Sequence, residues 1–169
     1  MKNLKHASLI VAIISLIAAC APKQVHPLNP EDQLSEASEI LSEALKVLND
    51  TSRNPRSLEE NGELRLVRPR DWTSGFFPGI LWMMFDYSGD DIWKEAAHHY
   101  SMNIEAEKYN GGTHDMGFKM YCSFGNGLRL TGNPQYRDIL IQSAQTLMTR
   151  YHPNVGCIRS WDHNRDKWD

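Results

Sequence analysis

Tyr87-Ser88-Gly89-Asp90-Asp91-Ile92-Trp93-Lys94-Glu95 lines up without gaps against Leu130-Thr131-Gly132-Asn133-Pro134-Gln135-Tyr136-Arg137-Asp138. In each stretch an apolar segment ends at Gly, an Asp or Asn follows, and a new amphipathic segment begins. Glycine suits the left-handed residue that closes a helix, and Asp or Asn accepts hydrogen bonds from the free N–H groups that open the next one. The two joints lie 43 residues apart, Gly89 to Gly132, and the same offset sets Asp71-Trp72 opposite His114-Asp115. A repeat of helix pairs implies a solenoid or a closed ring, because one pair alone leaves its apolar face open.

Outward from these joints the pattern stays helical. Leu34, Ala37, Ile40, Leu41, Ala44, Leu45 and Leu48 recur at three- and four-residue steps, which predicts a first amphipathic helix. The polar run 49–63, with Pro55 and Gly62, reads as a long loop. Helical stretches are then expected over 73–87, 91–107, 113–130 and 134–151. Segments 76–87 and 116–130 are apolar or small on most sides and are flanked or interrupted by Gly75, Gly79, Gly117, Gly125 and Gly127, whereas 91–107 and 134–151 are one-sided. All-round apolar helices belong inside and one-sided helices outside. An inner ring wrapped by an outer ring is an all-α fold, an α/α toroid, in which the loops entering the inner helices line a central cleft. The glycines let inner backbones approach closely or leave room for a ligand.

Before the helices, Lys2 and Lys5 precede an apolar stretch over 9–19 that is shorter than the roughly 20 residues a membrane-spanning helix needs. Residues 1–19 read as an export signal. The stretch closes on Leu16-Ile17-Ala18-Ala19-Cys20, the pattern of a bacterial lipobox, so Cys20 is expected to be acylated and to become the first residue of the mature chain. More than one acyl chain makes such an anchor stable. Residues 20–30, with Pro22, Pro27 and Pro30, then form a tether, and 31–169 the folded part. The expected location is the periplasm or the outer membrane of a bacterium. Removing 1–19 takes Lys2 and Lys5 from a formal charge of −3 and leaves 16 basic against 21 acidic residues, a net −5. That balance offers no basic stripe for nucleic acid. Cys122 and Cys157 lack metal-ligand spacing; whether they pair stays open, and no chemistry is assigned to them.

Four segments carry more specific information: Asp71-Trp72-Thr73-Ser74-Gly75-Phe76-Phe77-Pro78-Gly79, Thr113-His114-Asp115-Met116-Gly117-Phe118, Ser123-Phe124-Gly125-Asn126-Gly127 and Gly156-Cys157-Ile158-Arg159-Ser160-Trp161-Asp162. In this order they resemble successive motifs of the unsaturated glucuronyl hydrolases, glycoside hydrolase family 88. The resemblance implies an (α/α)6 toroid of which these residues supply an incomplete N-terminal portion of about five helices. It implies an enzyme that releases Δ4,5-unsaturated glucuronic acid from the non-reducing end of oligosaccharides left by polysaccharide lyases, without a cofactor or metal. In that reaction C4 of an enol ether is protonated, water adds to C5 of the resulting oxocarbenium ion, and the hemiketal opens to expel the neighbouring sugar. One carboxyl group gives the proton and helps activate water; a second carboxylate stabilises the cation.

Asp115 matches one of the family's two catalytic aspartates. Thr113 reads as the cap of the following helix, so Asp115 sits in a first turn where backbone N–H groups favour negative charge. That placement suits the ionised partner rather than the proton donor; a helix-capping carboxylate without catalysis is the bland alternative. The resemblance places the main acid/base aspartate beyond Asp169, so residues 1–169 alone are expected to be inactive and, with fewer than half of twelve helices, to leave inner apolar faces uncovered. Trp72, Phe76 and Trp161 match the aromatic residues that pack the sugar ring, whereas Phe77 and Trp82 read as core. His114 is a candidate for hydrogen bonding to substrate, and Arg159 is a candidate for the uronate carboxylate because guanidinium forks suit carboxylates.

Three rivals deserve weight. His114-Asp115 as a metal-dependent phosphohydrolase pair needs further ligands, yet His98-His99, His152 and His163 do not repeat at ligand positions. An unsaturated rhamnogalacturonyl hydrolase shares toroid and chemistry. A non-catalytic glycan-binding lipoprotein would use the same aromatic residues without turnover.

Overall fold

The computed structural model describes residues 29–48 and 50–163. The apolar stretch 9–19, Cys20 and the tether up to residue 28 lie outside the described residues. Contacts group the chain into Met1–Gln33, of which only the last few residues are described, and Leu34–Asp169. In chain order the elements are α1 (Pro30–Val47), β1 (Asn54–Leu58), β2 (Leu64–Val67), α2 (Phe76–Ser88), α3 (Asp91–Met102), a 3-10 turn (Glu105–Tyr109), a π-helical segment (Gly117–Gly125) that runs directly into α4 (Asn126–Thr131), α5 (Pro134–Met148), β3 (Tyr151–His152) and β4 (Cys157–Ile158).

The repeated joints form as their residues dictate. Gly89 and Gly132 adopt left-handed backbone with φ of 71° and 66°, closing α2 and α4. Asp90 then accepts from the N–H of Ile92, and Asn133 from that of Gln135, opening α3 and α5. Trp93 and Tyr136, equivalent positions of the repeat, are both buried. They help build a core with Leu81, Trp82, Met84, Tyr100, Ile104, Met120 and Phe124. Each such side chain contributes about 1.5–3 kcal/mol by leaving water.

The two inner elements lie side by side in repeat register. A Cβ on Gly75 would fall 2.4 Å from the carbonyl oxygen of Phe118, and one on Gly79 would fall 2.8 Å from that of Cys122. Farther along, the guanidinium of Arg129 donates to Asp86 at 2.9 Å across the same 43-residue separation. Equivalent residues that meet in this way require the two inner elements to run parallel. Only glycine allows the approach at positions 75 and 79, because backbone lies where a side chain would begin.

Several boundaries differ from the sequence expectation. The run 49–63 is not a plain loop: it carries β1, which pairs antiparallel with β2 through Asn54↔Val67 and Leu58↔Leu64, with Gly62 at φ 82° in the turn. Buried Asn54 fixes this hairpin to the helices by donating to the carbonyls of Ser74 and Tyr100. Residues 71–75 turn rather than enter a helix, since the Asp71 carboxylate accepts from the N–H and hydroxyl of Thr73 and so offers the backbone a local alternative. The expected helix 91–107 stops at Met102 and tightens to 3-10 geometry, which delivers Ile104 and Glu107 to the interior. The expected helix 113–130 is π-helical before it becomes α-helical, and 134–151 ends at Met148 so that Tyr151 can pair with Ile158. Cys122 and Cys157 are both free thiols, and burial pushes the Cys122 thiol up from its ordinary pKa.

The uncovered inner faces expected from the helix count are present: Ile80, Met83, Tyr87, Phe118 and Tyr121 are exposed. Among the described residues no helix is long and apolar enough to cross a membrane.

Candidate active site

The loop that enters α2 presents Trp72. Arg56, on β1, bonds the Asp71 carboxylate at 2.9 Å and lies 5.9 Å from the centre of the Trp72 ring, so the hairpin supports one side of the indole. Partial burial pushes the Asp71 carboxyl up, but the hydrogen bonds from Thr73, joined by Arg56, outweigh it and hold the pKa below the ordinary value. Trp72 packs edge-on against Phe76 and Phe118, with ring centres at 5.7 and 5.8 Å, and Phe76 meets Phe118 at 5.7 Å. Trp72 is exposed, while Phe77 and Trp82 are buried as core residues.

The equivalent loop, entering the π-helical segment, presents His114 and Asp115. The hydroxyl of Thr113 accepts from the N–H of Asp115 at 3.1 Å in a local turn, but the helical segment starts after Asp115 with no side-chain cap, which corrects the expected capping by Thr113 and the expected first-turn place of Asp115. The Asp115 carboxylate takes the Thr113 hydroxyl at 3.4 Å and lies 3.3 Å from Nε2 of His114. His114, Asp115, Gly117, Phe118 and Tyr121 line an open hollow of about 460 Å³. Phe118 belongs both to this hollow and to the aromatic trio, and so links Trp72 and Phe76 to the hollow that Asp115 lines. π-Helical geometry recurs at functional sites in proteins, and here it begins two residues after the carboxylate.

Trp161 arrives from the segment after β4. Its ring stands edge-on to His114 with centres 5.8 Å apart. Asp162 is held by Arg150 at 2.9 Å and by Arg159 at 2.7 Å, and the hydrogen bond from Arg150 is the first cause of a lowered pKa, ahead of the charge of Arg159. Arg159 thus pairs with Asp162 at the surface.

Two buried cations behind these loops escaped the sequence reading. Lys119, fully buried, bonds Glu107 at 2.6 Å and the carbonyl of Arg70 at 3.2 Å, just ahead of Trp72. Glu107 in turn accepts from Asn110, whose side chain accepts from the N–H of Gly112 in the loop to Asp115. A lone lysine in an otherwise apolar inner helix was the available signal. Arg150 had none, being one more polar residue near the end of an amphipathic helix. Among the described residues, no three His, Cys, Asp or Glu side chains gather as a metal site would need.

Trp72, Phe76, His114, Asp115 and Trp161 are therefore joined by one chain of contacts that runs through Phe118 and the hollow. No protein-family profile matches the chain. An unsaturated glucuronyl hydrolase of Formosa agariphila is 39% identical over 175 residues, an alignment that covers 100% of this chain and 44% of the relative. This chain belongs to the unsaturated glucuronyl hydrolases. An unsaturated chondroitin disaccharide hydrolase of Streptococcus pyogenes is 27% identical, covering 68% of this chain and 30% of that protein. The crystal structure of an unsaturated glucuronyl hydrolase specific for heparin matches with a TM-score of 0.71 at 39% identity over 78% of this chain and 36% of that one. The structure of the Bacillus sp. GL1 glucuronyl hydrolase, described as responsible for glycosaminoglycan degradation, matches with a TM-score of 0.71 at 26% identity, over 80% and 36% of the two chains. The fold is thus that of an α/α toroid, and the chain spans less than half the length of these glucuronyl hydrolases. The rhamnogalacturonyl and non-catalytic alternatives are not favoured by these relatives.

Proposed function

We propose that these residues are the N-terminal part of a hydrolase that releases Δ4,5-unsaturated glucuronic acid from the non-reducing end of glycosaminoglycan-type oligosaccharides produced by polysaccharide lyases. One observation carries the reading: Asp115 lines a hollow whose Phe118 wall continues into Trp72 and Phe76. Aromatic faces and edges orient a sugar ring without consuming its hydrogen bonds. A carboxylate held by Thr113 just ahead of a helical segment needs no reorganisation when the oxocarbenium ion forms, which is the condition for effective electrostatic stabilisation. His114 contacts Asp115 through Nε2 and keeps its other ring nitrogen for a substrate hydroxyl. The proton for C4, and the later activation of water, fall to a second aspartate carried by sequence beyond Asp169.

Export and anchoring through an acylated Cys20 belong to the same proposal. They rest on Leu16-Ile17-Ala18-Ala19-Cys20 closing the apolar stretch, and their consequence is an enzyme of the periplasm or the outer membrane.

The test is turnover of lyase-generated unsaturated disaccharides by the full-length polypeptide, followed as loss of the ultraviolet absorbance of the unsaturated uronate. Asp115→Asn keeps the shape and removes the charge, and by analogy with loss of one preorganised donor it lowers kcat about 10²–10³-fold. Parental turnover in that variant would reduce Asp115 to a structural role. An inactive full-length parent on all such disaccharides would overturn the proposed reaction.

A further inference from the structure

Arg150 is a buried residue near the end of α5, and it touches neither the hollow nor any aromatic ring of the site. Its guanidinium is spent on a set of acceptors. Nε donates to the carbonyl of Arg159 at 2.9 Å, Nη2 to that of Ser160 at 2.7 Å, and Nη1 both to the Asp162 carboxylate and to the carbonyl of Gly111, each at 2.9 Å. The N–H of Arg159 returns a hydrogen bond to the carbonyl of Arg150. Three of these acceptors bracket Trp161, on residues 159, 160 and 162. The fourth, Gly111, lies in the loop that leads to His114 and Asp115. The Trp161 ring itself is exposed, meets His114 edge-on and lies tilted against His163 with centres 5.5 Å apart, and the segment that carries it follows a short exposed hairpin, β3 with β4. Within the segment Arg159 pairs with Asp162, and among the described residues Arg150 is the side chain that ties the backbone on both sides of Trp161 to the loop before Asp115.

We infer that Arg150 is a positioning residue for substrate binding, a clamp that joins the Trp161 segment to the loop before Asp115 and so sets the distance between the stacking indole and the catalytic carboxylate. A planar fork with five donors in fixed directions can hold four acceptors on two separate segments; an ammonium, a single point charge with three rotatable donors, cannot reproduce that span. The inference rests on the reading of Trp161 as a sugar-stacking residue. Binding that is equal in ground and transition state alters KM and leaves kcat unchanged, so a clamp acting through the indole changes KM in particular.

The experiment is a double-mutant cycle in the full-length enzyme with unsaturated disaccharide, using Arg150→Lys, Trp161→Ala and the pair. Arg150→Lys is expected to raise KM roughly three- to ten-fold, the range of a single aromatic contact, with kcat within about two-fold of the parent. In the Trp161→Ala background it should add no further rise. An unchanged KM in Arg150→Lys, or the same added rise whether or not Trp161 is present, overturns the inference. Should Arg150→Lys not fold, Asp162→Asn loosens the clamp from its exposed side and is read against the same two outcomes. A Trp161→Ala enzyme with parental KM removes the stacking role itself, which is a failure of the proposed function and distinct from a failure of the clamp.

Discussion

Lys119→Met gives a sharp test of how the site is supported. The substitution keeps the length of the side chain and removes the ammonium that links Glu107 to the carbonyl of Arg70. At 2.6 Å and an effective dielectric constant of about 20, the ion pair attracts by roughly 6 kcal/mol. Taking the two ions out of water costs several kcal/mol each, so the pair as a whole is close to neutral. Its removal by halves is not. Glu107 would remain mostly buried with Asn110 as its remaining side-chain donor, and an uncompensated buried charge costs about 3–5 kcal/mol. Lys119→Met should therefore lower the stability of the full-length protein by that amount in urea unfolding, read from the shift in midpoint at constant slope. Lys119→Met combined with Glu107→Gln should recover most of the loss. A single variant within about 1 kcal/mol of the parent, the ordinary effect of a point substitution, would refute the buried pair as described.

Gly75→Ala would set a Cβ 2.2 Å from the carbonyl oxygen of Lys119, a clash with backbone that should cost about 3 kcal/mol or more and lower Tm by several degrees; an unchanged melting curve would mean that the inner elements do not approach this closely. Asp71 has a folded pKa below its ordinary value, so its contribution is complete above the unfolded pKa near 3.9 and is lost as pH falls through the folded one. Asp71→Asn should be about 1–2 kcal/mol less stable than the parent at pH 7, with the gap closing below about pH 4; a gap independent of pH would exclude the carboxylate as its source. Cys20→Ala should release the protein from the membrane fraction or block its processing, and unchanged retention of the variant would count against acylation.

The features legible in the sequence are those decided by neighbours in sequence. The caps at Asp90 and Asn133 and the turns at Gly89 and Gly132 need only adjacent residues, and they stand where they were expected. The division into all-round apolar and one-sided helices likewise follows from period alone. The first hairpin was hidden in a polar run, although Asn61-Gly62 is a strong turn signal, because Leu58, Leu64, Leu66 and Val67 offer too little alternation to stand out. The chain leaves its helix at Met102 and then turns Glu107 inward to pair with Lys119 across the interior, a long-range contact that no local rule contains. In the site, Trp72, Phe76, His114, Asp115 and Trp161 were found through motif resemblance. Arg150 was not, because its acceptors are mostly main-chain carbonyls, which every residue has and no spacing reveals.

The contact between Asp86 and Arg129 bears on how such a repeat can diverge. The two residues occupy one position in successive hairpins, and both side chains are about half exposed, so their attraction contributes only about 0–1 kcal/mol. Their value lies in asymmetry. A residue that touches its own counterpart in the next hairpin can never be matched by an identical copy if it is charged, since two aspartates or two arginines would repel. Perfect repetition is therefore forbidden at this position, and the sign of the charge tells one hairpin from the next. Order around the ring is marked by an ion pair too weak to hold the ring together.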